Sequence, residues 1–396
     1  MQRYLIQAKG NKIEDVGAYM HRDDGDDDNE ENENDGYAKI ISLVYSTFDV
    51  SEYTKARFSL EFKIEDVDSK PKFEWLAREL EGTEYMARLV KAEYGLHIIV
   101  QKFHRGKKSR LLDSTWMPRI LFGVVIAFVM IDGFYRTMAT NHIVEIGDPI
   151  EMAAIYTTAL LGILGVHEAG HIVAARMHKL KTTWPYFIPG LPVIGIPTFG
   201  AFIQSRGMTI NREILFDVAI AGPVAGLAIA IIVSVYGAYT APILGETLAA
   251  ELYDSRAITE WNQGEPILMT ASLAMFGKGG DGHEVIMTPV MFAAWIGFLI
   301  TFLNMLPAWQ LDGGHMARTL LGARMHTFAT YGSMAVLTLL GYWIMAILVL
   351  VMSMRNPSAN PLDDVSPLSR NRKVAYLGVV GLAILCAPIP SGIPFM

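Results

Sequence analysis

LGILGVHEAGHIVAARMH, residues Leu161 to His178, sets two histidines and a glutamate inside a run that is otherwise oily. The residues before the charged group, Ile155 to Val166, are almost entirely apolar, and Ile172 to Ala175 return to apolar at once. A stretch of this length and character reads as a membrane-crossing helix. Ionisable groups at such depth cost several kcal/mol, on the order of 3, and mark function by default. The stretch therefore points to a membrane-embedded helix bundle and to chemistry at His167, Glu168 and His171.

Working outward, a span needs about twenty mostly apolar residues. Trp116–Tyr135 fits as the first, and Ile150–Ala175, which holds the opening stretch, is the second. Ile214–Tyr239 follows as the third, Val290–Leu306 as the fourth, Tyr331–Met352 as the fifth and Val374–Pro388 as a short sixth. The composition agrees: 52% of residues are hydrophobic and only 18% charged, with a mean hydropathy of +0.29. Charge concentrates in residues 1–115, so the expected fold is mainly α, about six transmembrane helices (116–396) behind a small soluble α+β head (1–115).

Within the head, Ala56–Ile64 alternates apolar and polar as a half-buried strand does. Lys72–Gly82 has helical spacing and closes on glycine, and YMARLVKA and LHIIVQKF read as two strands around a turn at Glu93–Gly95. The run DDGDDDNEENEND, Asp23–Asp35, is too acidic and too poor in apolar residues to bury anything, and is expected to be a disordered loop near 22–36. The net charge of -7 argues against nucleic acid as a partner. The one cysteine, Cys386, excludes a disulfide framework and a cysteine-based zinc site.

The positive-inside rule orients the bundle. Lys102, Arg105, Lys107, Lys108 and Arg110 precede the first span, and Arg176, Lys179, Lys181, Arg206 and Arg212 fall on that same side. The head is therefore expected in the cytoplasm. Arg355, Arg370, Arg372 and Lys373 disagree, since six spans put them outside. The N-terminus has no transit-type character, which favours a prokaryotic plasma membrane.

Between the second and third spans, Thr182–Arg206 is apolar, yet Pro185, Pro189, Pro192 and Pro197 forbid a continuous helix. Non-helical backbone at membrane depth is tolerated where protein buries it or it lines a wet cavity. The segment is expected to dip in beside the helices, and an extended stretch over Pro197–Arg206 would offer a strand edge to a peptide.

The chemistry follows from spacing. Residues i and i+4 share a helix face, about 6 Å apart along the axis, so His167 and His171 can converge on one metal ion. Zinc lowers the pKa of a bound water to about 7, and Glu168 lies alongside to take its proton. His178 is about 10 Å further along, too far to share the ion. A catalytic zinc needs a third protein ligand from another element. FLNMLPAWQLDGGHMARTL, Phe302–Leu320, offers Asp312: Pro307 breaks the fourth span before it, and Gly313 and Gly314 allow a close turn after it. Alone, Asp312 reads equally well as a turn residue; beside an unfinished site it reads as a ligand. Asn304, in the same stretch, fits either a role at the site or a hydrogen bond to a neighbouring helix. Asp281, His283 and Glu284 in GKGGDGHE read as a solvated glycine loop, and His315 as a helix-start contact. Gly222 and Gly226 in AGPVAG form a small-xxx-small pair that lets helices approach.

HEAGH in one span and NMLPAWQLDGGH in a later one, with AGPVAG and NPLDDVSPLSR between and after them, resemble the site-2 protease family of intramembrane zinc metalloproteases. The type resembled is archaeal and plant-chloroplast-like, without a PDZ-like insertion. The resemblance runs from about Trp116 to Pro390. It implies one zinc per chain held by His167, His171 and Asp312, Glu168 as general base, and Asn304 positioning substrate or stabilising the transition state. It also implies transmembrane protein substrates within the lipid bilayer. A zinc-binding transporter or a non-proteolytic scaffold of the same fold is the alternative. The sequence leaves open the oligomeric state and the role of the polar connection 241–289.

Overall fold

A computed structural model describes residues 27–56, 59–103, 116–193, 195–203, 208–256, 258, 261–278, 283–355 and 360–389. The chain divides into two compact units. One comprises residues 1–107 with two later segments, 210–212 and 360–367, and the other takes the remainder.

In the first unit the elements run α1 (Asp27–Thr47), β1 (Val50–Ala56), β2 (Ser59–Ile64), α2 (Ser69–Glu79), β3 (Tyr85–Ala92) and β4 (Gly95–Lys102). The strands form one antiparallel sheet in the order β1-β2-β4-β3. Alternation in β2 buries Leu60, Phe62 and Ile64, joined in the core by Ile98 and Val100 of β4 and by Phe73 and Leu76 of α2. Two expectations are corrected here. Ala56–Ile64 is not one strand: β1 ends at Ala56 and β2 begins at Ser59, paired as a hairpin. The acidic run is helical from Asp27 onward; residues 22–26 lie outside the described part. Helix α1 is held by the stripe Tyr37, Ile40 and Val44, buried with Phe48 just beyond its end.

The later segments extend the β3 edge. The Leu89 amide donates to the Leu362 carbonyl at 2.9 Å, and the Asp363 amide to the Ile210 carbonyl at 2.7 Å, giving parallel bridges Leu89–Asp363 and Asn211–Asp363. Asp363 is buried, and its Oδ1 accepts the Val365 and Ser366 amides, the local turn that aspartate favours.

The second unit is built from α3 (Met117–Asn141), α4 (Pro149–Met177), the hairpin β5 (Tyr186–Pro189) and β6 (Thr198–Phe202), α5 (Arg212–Thr240), β7 (Ile243–Gly245), α6 (Glu246–Asp254), α7 (Ile267–Ala274), β8 (His283–Val285), α8 (Pro289–Met305), α9 (Asp312–Leu339), α10 (Trp343–Arg355) and α11 (Arg370–Cys386). Helices α3, α4 and α5 are long and apolar enough to cross a membrane; α8 and α10 are shorter apolar helices. Helix α4 starts where Asp148 accepts the Ile150 and Glu151 amides, with Pro149 in the first turn. Helix α8 has only 17 residues but is buried on nearly every face, from Val290 to Phe302, as expected of an all-round apolar helix at the centre of a bundle.

The expected fifth span, Tyr331–Met352, is not one helix. Gly341 adopts φ 83° and turns the chain back between α9 and α10, while the Tyr342 hydroxyl donates to the Gln263 carbonyl at 3.1 Å. Helix α11 then starts beside the end of α4: Arg372 forks onto both carboxylate oxygens of Asp217 at 2.7 and 2.6 Å, and His178 Nε2 lies 3.0 Å from the same group. At its other end the chain reaches Ile389, bridged to Glu265. Arg370, Arg372 and Lys373 therefore sit at the His178 end, not the far end that a six-span count assigns them. A glycine amid apolar residues left no polar mark of the turn. The end of the GKGGDGHE loop runs into β8, His283–Val285, paired with β7; Asp281 lies outside the described residues.

Candidate metal centre

Helix α4 carries His167 and His171 on one face, as the spacing requires. Their Nε2 atoms lie 3.2 Å apart. Asp312, the first residue of α9, places Oδ2 3.4 Å from His167 Nε2 and 3.3 Å from His171 Nε2. The three atoms form a nearly equilateral triangle. Zinc bonded to nitrogen and oxygen at about 2.0–2.1 Å in a tetrahedron separates its ligands by about 3.3–3.4 Å. The triangle thus matches one face of that tetrahedron, and two imidazoles with a carboxylate suit the ion chemically. Among the described residues, no other group of three potential ligands comes together in this way.

Tautomer control is also present. His171 Nδ1 lies 2.7 Å from the Val218 carbonyl, so it donates there and leaves the Nε2 lone pair facing the triangle. Glu168 is buried beside His167 and within electrostatic reach of both histidines and Asp312. From α8, Asn304 brings its amide nitrogen to 3.4 Å from His167 Nε2. The structure thus gathers all five sequence-derived candidates at one place. His178 does not join them; it caps α4.

Asp312 reaches the site because the chain between α8 and α9 packs extremely closely. A Cβ on Gly313 would lie 2.2 Å from the Met305 carbonyl oxygen, and one on Gly314 2.3 Å from that of Ala308. Sequence reasoning anticipated a tight turn here but missed what Gly222 and Gly226 do. A Cβ on Gly222 would stand 2.1 Å from His171 Nε2, and one on Gly226 2.9 Å from His167 Cβ. The small pair on α5 makes room for the imidazoles, while the backbone approach occurs at Gly170, whose Cβ would meet the Ala221 carbonyl oxygen at 2.5 Å. The AGPVAG pattern signals a close approach but cannot say to what.

Residues 155–348 match the model of Peptidase family M50. Among curated proteins the chain is similar to the "Probable zinc metalloprotease EGY2, chloroplastic" of Arabidopsis thaliana, 29% identical over 294 residues, 69% of this chain and 49% of that protein. It is also similar to the "Probable zinc metalloprotease EGY1, chloroplastic" of Oryza sativa subsp. japonica, 30% identical over 249 residues, 60% of this chain and 40% of that one. The chain spans about half the length of the curated relatives it matches. No solved structure matches. The relatives are named as chloroplastic, so the expectation of a prokaryotic plasma membrane gains no support from them; what stands is a membrane protein.

Proposed function

We propose that this chain, whose residues 155–348 match the model of Peptidase family M50, is an intramembrane metalloprotease that hydrolyses peptide bonds in or near transmembrane segments of other proteins. The observation that carries the reading is the triangle of His167, His171 and Asp312 with the buried Glu168 beside it. One zinc ion per chain would be held by those three ligands; when bound, it supplies Lewis acidity toward water and the scissile carbonyl.

The chain's own residues do the rest. Glu168 takes a proton from the attacking water as the new C–O bond forms, and gives it to the leaving amine nitrogen as the C–N bond breaks. The Asn304 amide, facing the same cluster, donates to the oxygen on which negative charge develops. His171 keeps its orientation through the Val218 carbonyl. A helical substrate has its carbonyls occupied, so it must unwind first, and the β6 edge of the hairpin (Thr198–Phe202) offers backbone groups to the unwound chain. The N-terminal unit would lie on the cytoplasmic side.

Purified wild type and Glu168→Gln, assayed for bound zinc and against a panel of single-span peptides, test the reading. The expected result is about one zinc in each protein, as a single three-ligand site requires, and cleavage by the wild type only. A variant that cuts as well as the wild type sinks the role of Glu168. Zinc in both and cleavage by neither removes the support for proteolysis.

A further inference from the structure

Away from the metal centre, α3 carries a buried acid that the chemistry above does not use. Asp132 is wholly inaccessible. Its Oδ2 accepts from the Tyr156 hydroxyl at 2.8 Å and from Arg136 Nε at 2.7 Å, and its Oδ1 accepts from the Val193 amide at 2.8 Å. Arg136 also donates through Nη2 to the Gly195 carbonyl at 3.3 Å, and its guanidinium lies 3.6 Å over the Phe292 ring. Val193 and Gly195 belong to the tip of the β5–β6 hairpin. An Asp–Arg pair on one helix thus grips the tip by an amide on one side and a carbonyl on the other.

The grip also holds a conformation the tip would not adopt unaided. Val193 has φ 69°, a left-handed value that is a genuine outlier for a β-branched side chain. Such strain persists only where the surroundings over-determine it, and here the surroundings are the buried carboxylate.

Asp132 faces Tyr156 across the α3–α4 pair. Ten residues back along α3, Phe122 packs on Phe187 of β5 with ring centroids 4.8 Å apart, and Phe187 pairs with Ala201 of β6. Helices α3 and α4 run in opposite directions, so a rise of about 15 Å along α3 from Asp132 to Phe122 corresponds to about 16 Å along α4 from Tyr156 to His167. The Phe187–Ala201 pair therefore stands at the level of His167.

We propose that Asp132 and Arg136 are positioning residues which, by clamping the hairpin tip, fix which residues of the β6 edge face the metal centre and hence which substrate bond is presented. The inference rests on the proteolytic reading above for its consequence, but the clamp itself is testable without activity. A slip of one residue in strand register reverses which face each side chain points to, so a loosened clamp changes where the enzyme cuts.

The test uses the full chain with Asp132→Asn, Arg136→Gln, Arg136→Lys and Val193→Gly. Cleavage positions in single-span peptides are read by mass spectrometry alongside KM, kcat and bound zinc. In parallel, Phe122→Cys with Phe187→Cys reports hairpin placement by the yield of a short thiol cross-linker. Asp132→Asn and Arg136→Gln are expected to keep their zinc, scatter the cut over neighbouring bonds, and raise KM about tenfold with little change in kcat, the mark of lost uniform binding; Val193→Gly, which keeps the amide that Asp132 holds and relieves the left-handed strain, is expected to cut where the wild type does. Cross-linking yield should fall in the same two and hold in Val193→Gly, and Arg136→Lys should restore part of each effect. Unchanged cut positions with unchanged KM in Asp132→Asn and Arg136→Gln overturn the proposal, as does loss of zinc from every variant, which would make the pair a general structural support. If the wild type itself cuts nothing, the protease reading fails, and undiminished cross-linking in Asp132→Asn and Arg136→Gln would separately sink the clamp.

Discussion

At the scale of single residues, the metal centre depends as much on absent side chains as on those present. Gly222 leaves the space that His171 Nε2 occupies, and a methyl group there would overlap it at 2.1 Å. A ring can rotate away from such a clash, but only by giving up the hydrogen bond to Val218 and the convergence on Asp312. Gly222→Ala is therefore expected to lower metal affinity by at least the roughly 10–100-fold typical of disturbing a ligand's orienting partner, measured by competition with a chelating dye. Gly226→Ala meets the His167 Cβ at 2.9 Å, an atom tied to the backbone of α4, so the helices must part by a few tenths of an ångström. Its metal affinity should fall less than that of Gly222→Ala. The reverse order would show that helix separation, and not ring displacement, controls the site.

Among the elements, the end of α5 shows how a helix terminus is satisfied by a side chain from elsewhere in the chain. The last carbonyls of a helix have no partner within it. Lys278, arriving from the polar connection, donates to the carbonyls of Ala238, Tyr239 and Ala241 at 2.8, 2.8 and 2.7 Å, placing a positive charge where the helix dipole is negative. Lys278→Met keeps the unbranched apolar stem of the side chain and removes the donors. It is expected to cost about 1–3 kcal/mol and to lower the thermal midpoint by a few degrees, with bound metal unchanged at low temperature. No change in midpoint would mean that water serves those carbonyls equally well. The same connection packs its Trp261 edge-on against Trp295 of α8 at 5.2 Å between centroids, and both indole N–H groups donate to the Gly264 carbonyl. These contacts give residues 241–289 a bracing part that their polarity alone did not disclose.

For the molecule as a whole, what was legible in the sequence is what obeys short-range rules. The i,i+4 histidines, the strand alternation of β2 and the four prolines of the hairpin region each dictate local geometry, and each appears accordingly. Asp312 was reachable only by asking what completes a three-ligand ion, and the Asp132–Arg136 grip was not reachable, because its partners are 61 and 59 positions away in sequence. Turns inside apolar runs were equally hidden, and Gly341 is the costly case, since it reverses the placement of everything after it. With α9 and α10 doubling back, Lys373 comes to the end of the bundle that carries His178, the end shared with Lys181, whereas Asn262 lies near the Tyr342 turn and Ile389. The basic residues that contradicted the positive-inside rule then agree with it. Single cysteines at Lys181, Lys373 and Asn262, all exposed, should label from sealed vesicles accordingly: a membrane-impermeant reagent reaches the first two from one side and the third only from the other. Labelling of Lys373→Cys from the same side as Asn262→Cys would restore the six-span count and undo the reassigned end of α11.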